Sequence, residues 1–258
     1  LSAEDIYPSV GDTSAIGYTD VTGGSRVTYA TGWAAYEAAE DVKRQMIERA
    51  TILWELMPGQ VEYADGIFRA TDGSRESTFK NLAAELEDTG GPVVGRATVH
   101  PDTGVGGSFA ANIVDVEVDP ETGKVTILRF TVIQDAGKAI HPSYVEGQMQ
   151  GGSVQGIGWA LNEEYAYTSQ GRMANSTFLD YRMPTSLVVQ MIETIIVEVP
   201  NPGHPYGVRG VGEASIAPPP AAVAAAVQNA VGIQMDVLPL RPDRILAAMG
   251  DSLSTAAG

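Results

Sequence analysis

Between residues 32 and 56, apolar positions recur at three- and four-residue steps. Ala34, Ala35, Ala38, Val42, Met46 and Ala50 form one stripe, with charges between them. That period is helical. Residues 61–69 then read as a hairpin around Asp65-Gly66, a pair that readily takes the positive φ values a two-residue turn needs. Residues 77–86 predict a shorter helix opened by a hydroxyl cap. From Val93 the pattern becomes β, interrupted by a loop over 100–109. Val114, Val116 and Val118 alternate with Asp115, Glu117 and Asp119, which describes a strand with one wet face. Residues 120–123 form a turn and 124–134 the returning strand.

The next apolar stretch, 145–161, reads as a helix although it holds five glycines between 147 and 158. Each glycine in a helix costs about 1 kcal/mol against alanine, so close packing must compensate. Gln148, Met149, Gly152 and Gln155 fall on one broad face at three- and four-residue spacing. A glutamine buried there would need a partner, which backbone or a ligand could supply. Residues 194–199 predict a strand. The run Pro218-Pro219-Pro220 followed by an alanine-rich stretch predicts a helix to about Val231, stopped by Gly232.

Before that helix comes Pro205-Tyr206-Gly207-Val208-Arg209-Gly210-Val211-Gly212-Glu213. The three glycines allow tight turns and close backbone approach, and one carboxylate ends the run, ahead of a helix start. Glu213 could be a reacting base, or it could simply complement the helix dipole. Thr22-Gly23-Gly24-Ser25-Arg26 is a small-residue loop that could cradle an anion or be an ordinary turn. It matches neither the phosphate-loop nor the dinucleotide pattern. Asp180 and Arg182 read as a structural ion pair. His100, His141 and His204 each lie near proline without the paired spacing of metal ligands, so they read as loop residues.

Composition narrows the classes. The chain has 258 residues and 44% apolar content, enough for one large domain or two smaller ones. With no cysteine it holds no disulfide and ligates no iron–sulfur cluster through sulfur. A formal net charge of −16 argues against nucleic acid or an anionic membrane as partner. No run reaches the length of a membrane span. Leu1 opens no signal-peptide pattern and suggests a processed or truncated start.

Gly210-Val211-Gly212-Glu213 before a proline-rich helix start resembles the end of the molybdenum-binding subunit of the xanthine oxidase family of molybdenum hydroxylases. Gly11-Asp12-Thr13 with residues 22–26 is similar to that family's pterin-contacting segment. Residues 147–151 resemble its Gly-Gln-Val-Glu-Gly motif, with Met149-Gln150 in place of Val-Glu. Residues 175–185 are similar to a segment near the family's substrate region, and 239–246 to its usual ending.

The resemblance implies an α+β fold, mixed sheets with packed helices of the aldehyde oxidase/xanthine dehydrogenase molybdopterin-binding type. It suggests one part over 1–94 and a C-terminal part over 95–258. It implies Glu213 as the catalytic base beside the metal. Gly23, Gly24, Ser25, Arg26, Gln148 and Gly212 would hold or flank a molybdopterin-type molybdenum cofactor, for which a cytosine dinucleotide form is one alternative. No residue of this chain is expected to ligate the metal. The implied reaction inserts water-derived oxygen into a C–H bond of an N-heteroaromatic or aldehyde. Electrons would pass to [2Fe-2S] clusters and FAD on partner chains in the cytoplasm. A full subunit of the family is much longer, so a larger molybdenum-binding subunit or a missing N-terminal half is expected as partner. A non-catalytic assembly subunit and a carbon monoxide dehydrogenase-like relative are the alternatives.

Overall fold

The structure, a computed structural model, describes residues 1–14, 17–100 and 106–256, with side chains to residue 250. It divides into two compact units. One is Leu1–Gly23 with Ala30–Asp102, the other Gly24–Tyr29 with Thr103–Gly258. Each unit is thus made of two pieces of chain, whereas the division expected at residue 94 is a single cut.

Helix α1 (Val27–Leu53) starts in the second unit and continues through the first. It begins seven residues before Ala34, the first residue of the apolar stripe, and Tyr29, in its first turn, is buried at 1% exposure. In the first unit, β1 (Val61–Ala64) and β2 (Ile67–Ala70) pair antiparallel across Asp65-Gly66. Both turn residues have positive φ, 52° and 80°, as such a turn requires. A third strand, β3 (Glu76–Thr78), pairs with β2. Helix α2 (Phe79–Ala84) follows, capped by Thr78, whose hydroxyl accepts from the Asn81 N–H at 3.2 Å. Met46, Ala50, Trp54, Val61, Phe68, Leu82 and Leu86 make this unit's core.

The second unit carries a three-stranded mixed sheet in the order β4-β5-β6. Strand β4 (Ala110–Val118) runs antiparallel to β5 (Val125–Asp135) from Ala110↔Gln134 to Val118↔Val125, with an irregularity between Asp115 and Val116. The chain leaves β5, crosses over as helix α3 (Pro142–Leu161) and returns as β6 (Glu193–Val197), parallel to β5. Helices α3 and α4 (Pro219–Val231) cover one sheet face. Between them lie Ile127, Phe130, Val132, Met149, Ile157, Val223 and Val227, joined by Ile245 of helix α5 (Pro242–Ala256). Helix α4 ends where glycine was expected to stop it: Gly232 sits at φ 72° in the left-handed region.

Three expectations fail. Residues 93–100 form no strand: Val93, Val94 and Val99 carry the β signal but meet no partner strand. Of the loop expected over 100–109, residues 101–105 lie outside the described residues. Residues 242–256, read from the sequence only as a family-like ending over 239–246 and then a tail, are helical, with Ile245 fully buried. Asp180 and Arg182 do not pair: Asp180 accepts from the Thr177 hydroxyl at 3.2 Å, and Arg182 lines an apolar groove of about 510 Å³ with Phe178, Tyr181, Met183 and Val188. In that groove Tyr181 donates to Glu163 at 2.7 Å, which pushes its hydroxyl up to about 12.

Candidate active site

The loop that carries Glu213 is fastened to the end of β5 before it reaches that residue. Gly207 adopts φ 70°. Its carbonyl accepts from Lys138 N–H at 2.8 Å and Asn201 N–H at 2.9 Å. A Cβ on Gly137 would collide with that same carbonyl. Arg209 N–H donates to Ala136 O at 3.1 Å. The Arg209 guanidinium, little exposed, pairs with Asp135 at 3.1 Å and donates to Val199 O and Gly107 O at 3.0 and 2.8 Å. The Asp135 carboxylate in turn accepts from Gly137 and Val199 N–H. Buried Gln134 donates to Val211 O at 2.9 Å. Two residues later the chain is at Glu213.

Glu213 meets Ser25, 188 positions earlier in the chain and within the same unit. Its N–H donates to Ser25 Oγ at 2.9 Å, and that hydroxyl donates to Glu213 Oε2 at 3.3 Å. Gly24 and Ser25 both have positive φ, 67° and 58°, so the segment turns sharply beneath the carboxylate. The approach leaves no room for side chains. A Cβ on Gly210 would stand 3.0 Å from Ser25 Cβ, and one on Gly212 would stand 2.8 Å from Gln148 Oε1 and 3.5 Å from Ser25 Oγ. Ser25, Gln148, Gly212 and Glu213 are therefore one cluster. Arg26, half-buried, follows Ser25 in the chain, while Gly23 closes the first unit with its N–H on Val21 O at 3.0 Å.

Two details differ from the sequence reading. Gln148 is exposed rather than buried, as is Gln155; Met149 and Gly152 take the inward face of α3 with Ser153, Gly156 and Ile157. Glu213 caps a 3-10 turn, Ala214–Ile216, and stands six positions before α4. Prolines at the start of α4 supply no N–H, so the charge of Glu213 answers to Ser25 and to solvent rather than to that helix. Ser215, fully buried, donates to Gln148 O at 3.3 Å and fixes the turn against α3. Sequence reading missed the parts played by Arg209, Asp135, Gln134, Ser215 and His204. Their only signal was a polar residue inside an otherwise apolar or glycine-rich run.

The molybdopterin cofactor-binding domain model matches residues 1–189. The chain is 31% identical over 232 residues to the 6-hydroxypseudooxynicotine dehydrogenase complex subunit gamma of Paenarthrobacter nicotinovorans, covering 86% of this chain and 29% of that protein. It is 31% identical to the xanthine dehydrogenase molybdenum-binding subunit of Escherichia coli O157:H7, covering 95% and 34%. Among solved structures it superposes on the reconstituted CO dehydrogenase from Oligotropha carboxidovorans with TM-score 0.80 at 27% identity, covering 95% and 31%. It superposes on quinoline 2-oxidoreductase from Pseudomonas putida 86 with TM-score 0.76 at 29% identity, covering 88% and 30%. This chain belongs to the molybdopterin cofactor-binding domain family, and the expected kinship with the xanthine oxidase family and the α+β fold are borne out. It spans roughly a third of the length of these relatives.

The cluster fits such a cofactor on its own geometry. The Gln148 amide reaches outward with no hydrogen-bond partner among the described residues. Above Gly24 there is open space within 4 Å of where a Cβ would stand. An amide, a hydroxyl and bare glycine backbone suit an oxygen-rich anionic group. No group of three or more metal-ligating side chains occurs among the described residues. No described helix is long and apolar enough to cross a membrane.

Proposed function

We propose that the second unit supplies the base-bearing wall of a molybdenum hydroxylase active site. Gln148, Ser25, Arg26, Gly24 and Gly212 of that unit, with Gly23 preceding them in the chain, hold or flank the molybdopterin cofactor, with the cytosine dinucleotide form as one version of it. When bound, that cofactor would take up the two electrons and the hydrogen released as the substrate's C–H bond breaks. Glu213 takes a proton from the water-derived hydroxyl as its oxygen bonds to carbon, work for which a carboxylate within hydrogen-bond reach is suited. Ser25 keeps the carboxylate aimed by holding both its backbone and one of its oxygens. The substrate class is an N-heteroaromatic or an aldehyde, and a longer molybdenum-binding polypeptide completes the pocket. Electrons leave to [2Fe-2S] and FAD chains, and the complex works in the cytoplasm. The observation that carries this reading is the convergence of Glu213, Ser25 and Gln148 around side-chain-free Gly212. A second reading, oxidation of carbon monoxide, is favoured by the TM-score of 0.80 to a CO dehydrogenase; reduction by carbon monoxide rather than an N-heterocycle would support it.

Glu213→Gln tests the main reading. Glutamine keeps the backbone bond to Ser25 and can still accept from its hydroxyl, but it cannot take a proton. In the assembled complex, at matched molybdenum content, the rate of anaerobic reduction by substrate should fall at least ~10²-fold, the lower end for loss of a general base. Reduction at the wild-type rate would leave Glu213 as the cap of a turn and end this reading.

A further inference from the structure

His204, read from the sequence as a loop residue, lies in a loop. It is also buried at 6% exposure, and both ring nitrogens are engaged. The Tyr206 N–H meets Nδ1 at 3.1 Å, and Nε2 stands 3.0 Å from Tyr29 O. An amide N–H can only donate and a carbonyl can only accept, so Nδ1 is the acceptor and Nε2 carries the proton. The ring also packs on Tyr29, centroid to centroid 4.5 Å. Its backbone is held on both sides: His204 N–H donates to Asn201 O and its carbonyl accepts from Gly207 N–H.

Tyr29 lies in the first turn of α1, four residues after Ser25, and His204 lies nine residues before Glu213. Segment 24–29 and loop 204–213 therefore meet twice, once at Tyr29–His204 and once at Ser25–Glu213. Between these points Gly210 lies against Gly24 and Ser25. The Ser25 bonds are exposed and worth little alone, since water competes for them. The Tyr29–His204 bond is buried and accompanied by ring packing, so it is the stronger of the two fastenings.

We infer that His204 is a positioning residue: through Tyr29 it holds segment 24–29 in register with the loop, and thereby holds Ser25 on Glu213. The structural part stands on this geometry; its effect on turnover rests on the role proposed for Glu213.

Two substitutions separate the ring's bonds. His204→Asn places an oxygen where Nδ1 was, so the local bond to the Tyr206 N–H survives as an Asx turn, while the reach to Tyr29 is lost. His204→Gln extends an amide N–H to where Nε2 was and restores the bond to Tyr29. Hydrogen exchange on the full chain without cofactor reads the result. In His204→Asn, exchange should rise at least ~10-fold in segment 24–29 and at the Glu213 amide, with the β5 amides unchanged, and His204→Gln should reverse most of it. In the assembled complex, His204→Asn should lower kcat and leave KM within about twofold, as loss of base positioning would. No change in exchange, a rise spread over the whole unit, or a local rise that glutamine does not reverse would each overturn the inference. Because exchange is read without turnover, it stands or falls separately from the result for Glu213→Gln.

Discussion

At the residue scale, the candidate site is shaped by a few polar side chains that fasten backbone. Arg209 is the clearest. Its guanidinium ties Asp135, Val199 and Gly107 together, and the pair is mostly shielded, at 15% and 11% side-chain exposure. Removing one partner of such a pair strands the other charge. Arg209→Ala should therefore destabilise the chain by about 3 kcal/mol in urea unfolding. Arg209→Lys should recover less than half, because an ammonium cannot serve three acceptors in the planar fork; a lysine variant as stable as wild type would contradict this account. These residues also mark what the sequence could not tell. Glu213 and Gln148 are legible because glycines frame them. The Ser25–Glu213 pair spans 188 positions, and no local pattern announces it. Gln148 read as buried because periodicity places it beside Met149 and Gly152, yet periodicity fixes an angle around the helix and not where the packing edge falls.

At the element scale, α3 explains its own glycines. A Cβ on Gly152 would collide with Ser215 Oγ. One on Gly156 would stand 2.7 Å from Pro219 Cβ and 3.0 Å from Ile216 O. The close packing demanded by Gly152 and Gly156 is therefore real, and it is made by the segment that follows Glu213; Gly158 packs instead against Glu163 and Pro184. Gly147 and Gly151 differ: both are exposed, with open space where a Cβ would be. Gly152→Ala should destabilise by about 1–3 kcal/mol through overpacking that outweighs its helix propensity. Gly151→Ala should stabilise by up to about 1 kcal/mol. Thermal unfolding of the two single variants checks both signs, and a Gly152→Ala chain as stable as wild type would show that the contact with Ser215 yields freely. The β4–β5 hairpin was legible because its alternation is intact, Val114, Val116 and Val118 facing in. Strand β3 was not, since three residues pairing with β2 owe their extended form to a neighbour and not to propensity. In α5, Pro242 and Asp243 are ordinary opening residues and Ile245, Leu246 and Met249 follow at helical spacing, so this helix was within reach of the sequence.

At the scale of the whole molecule, two tendencies oppose each other. A net charge of −16 keeps copies apart. Against it, residues 178–191 expose Phe178 at 82%, Leu179 at 81%, Leu187 at 97% and Met191 at 86%, more than scattered surface apolar residues explain. Salt screens the first and not the second. The isolated chain should therefore self-associate more as ionic strength rises from about 0.05 to 0.5 M, read by light scattering, and should retain no stoichiometric molybdenum. A chain monomeric at both salts, or one that carries its own molybdenum, would contradict the expected need for a longer partner. The two-piece construction of the second unit has a further bearing on biosynthesis. Residues 24–29 leave the ribosome well before the partners they hold, residues 204–213, which are made some 180 positions later. At a translation rate of about 5–20 residues per second, this short segment waits roughly ten to forty seconds. The first unit can already be folded by then, so the joint that brings Ser25 to Glu213 closes after that unit has formed.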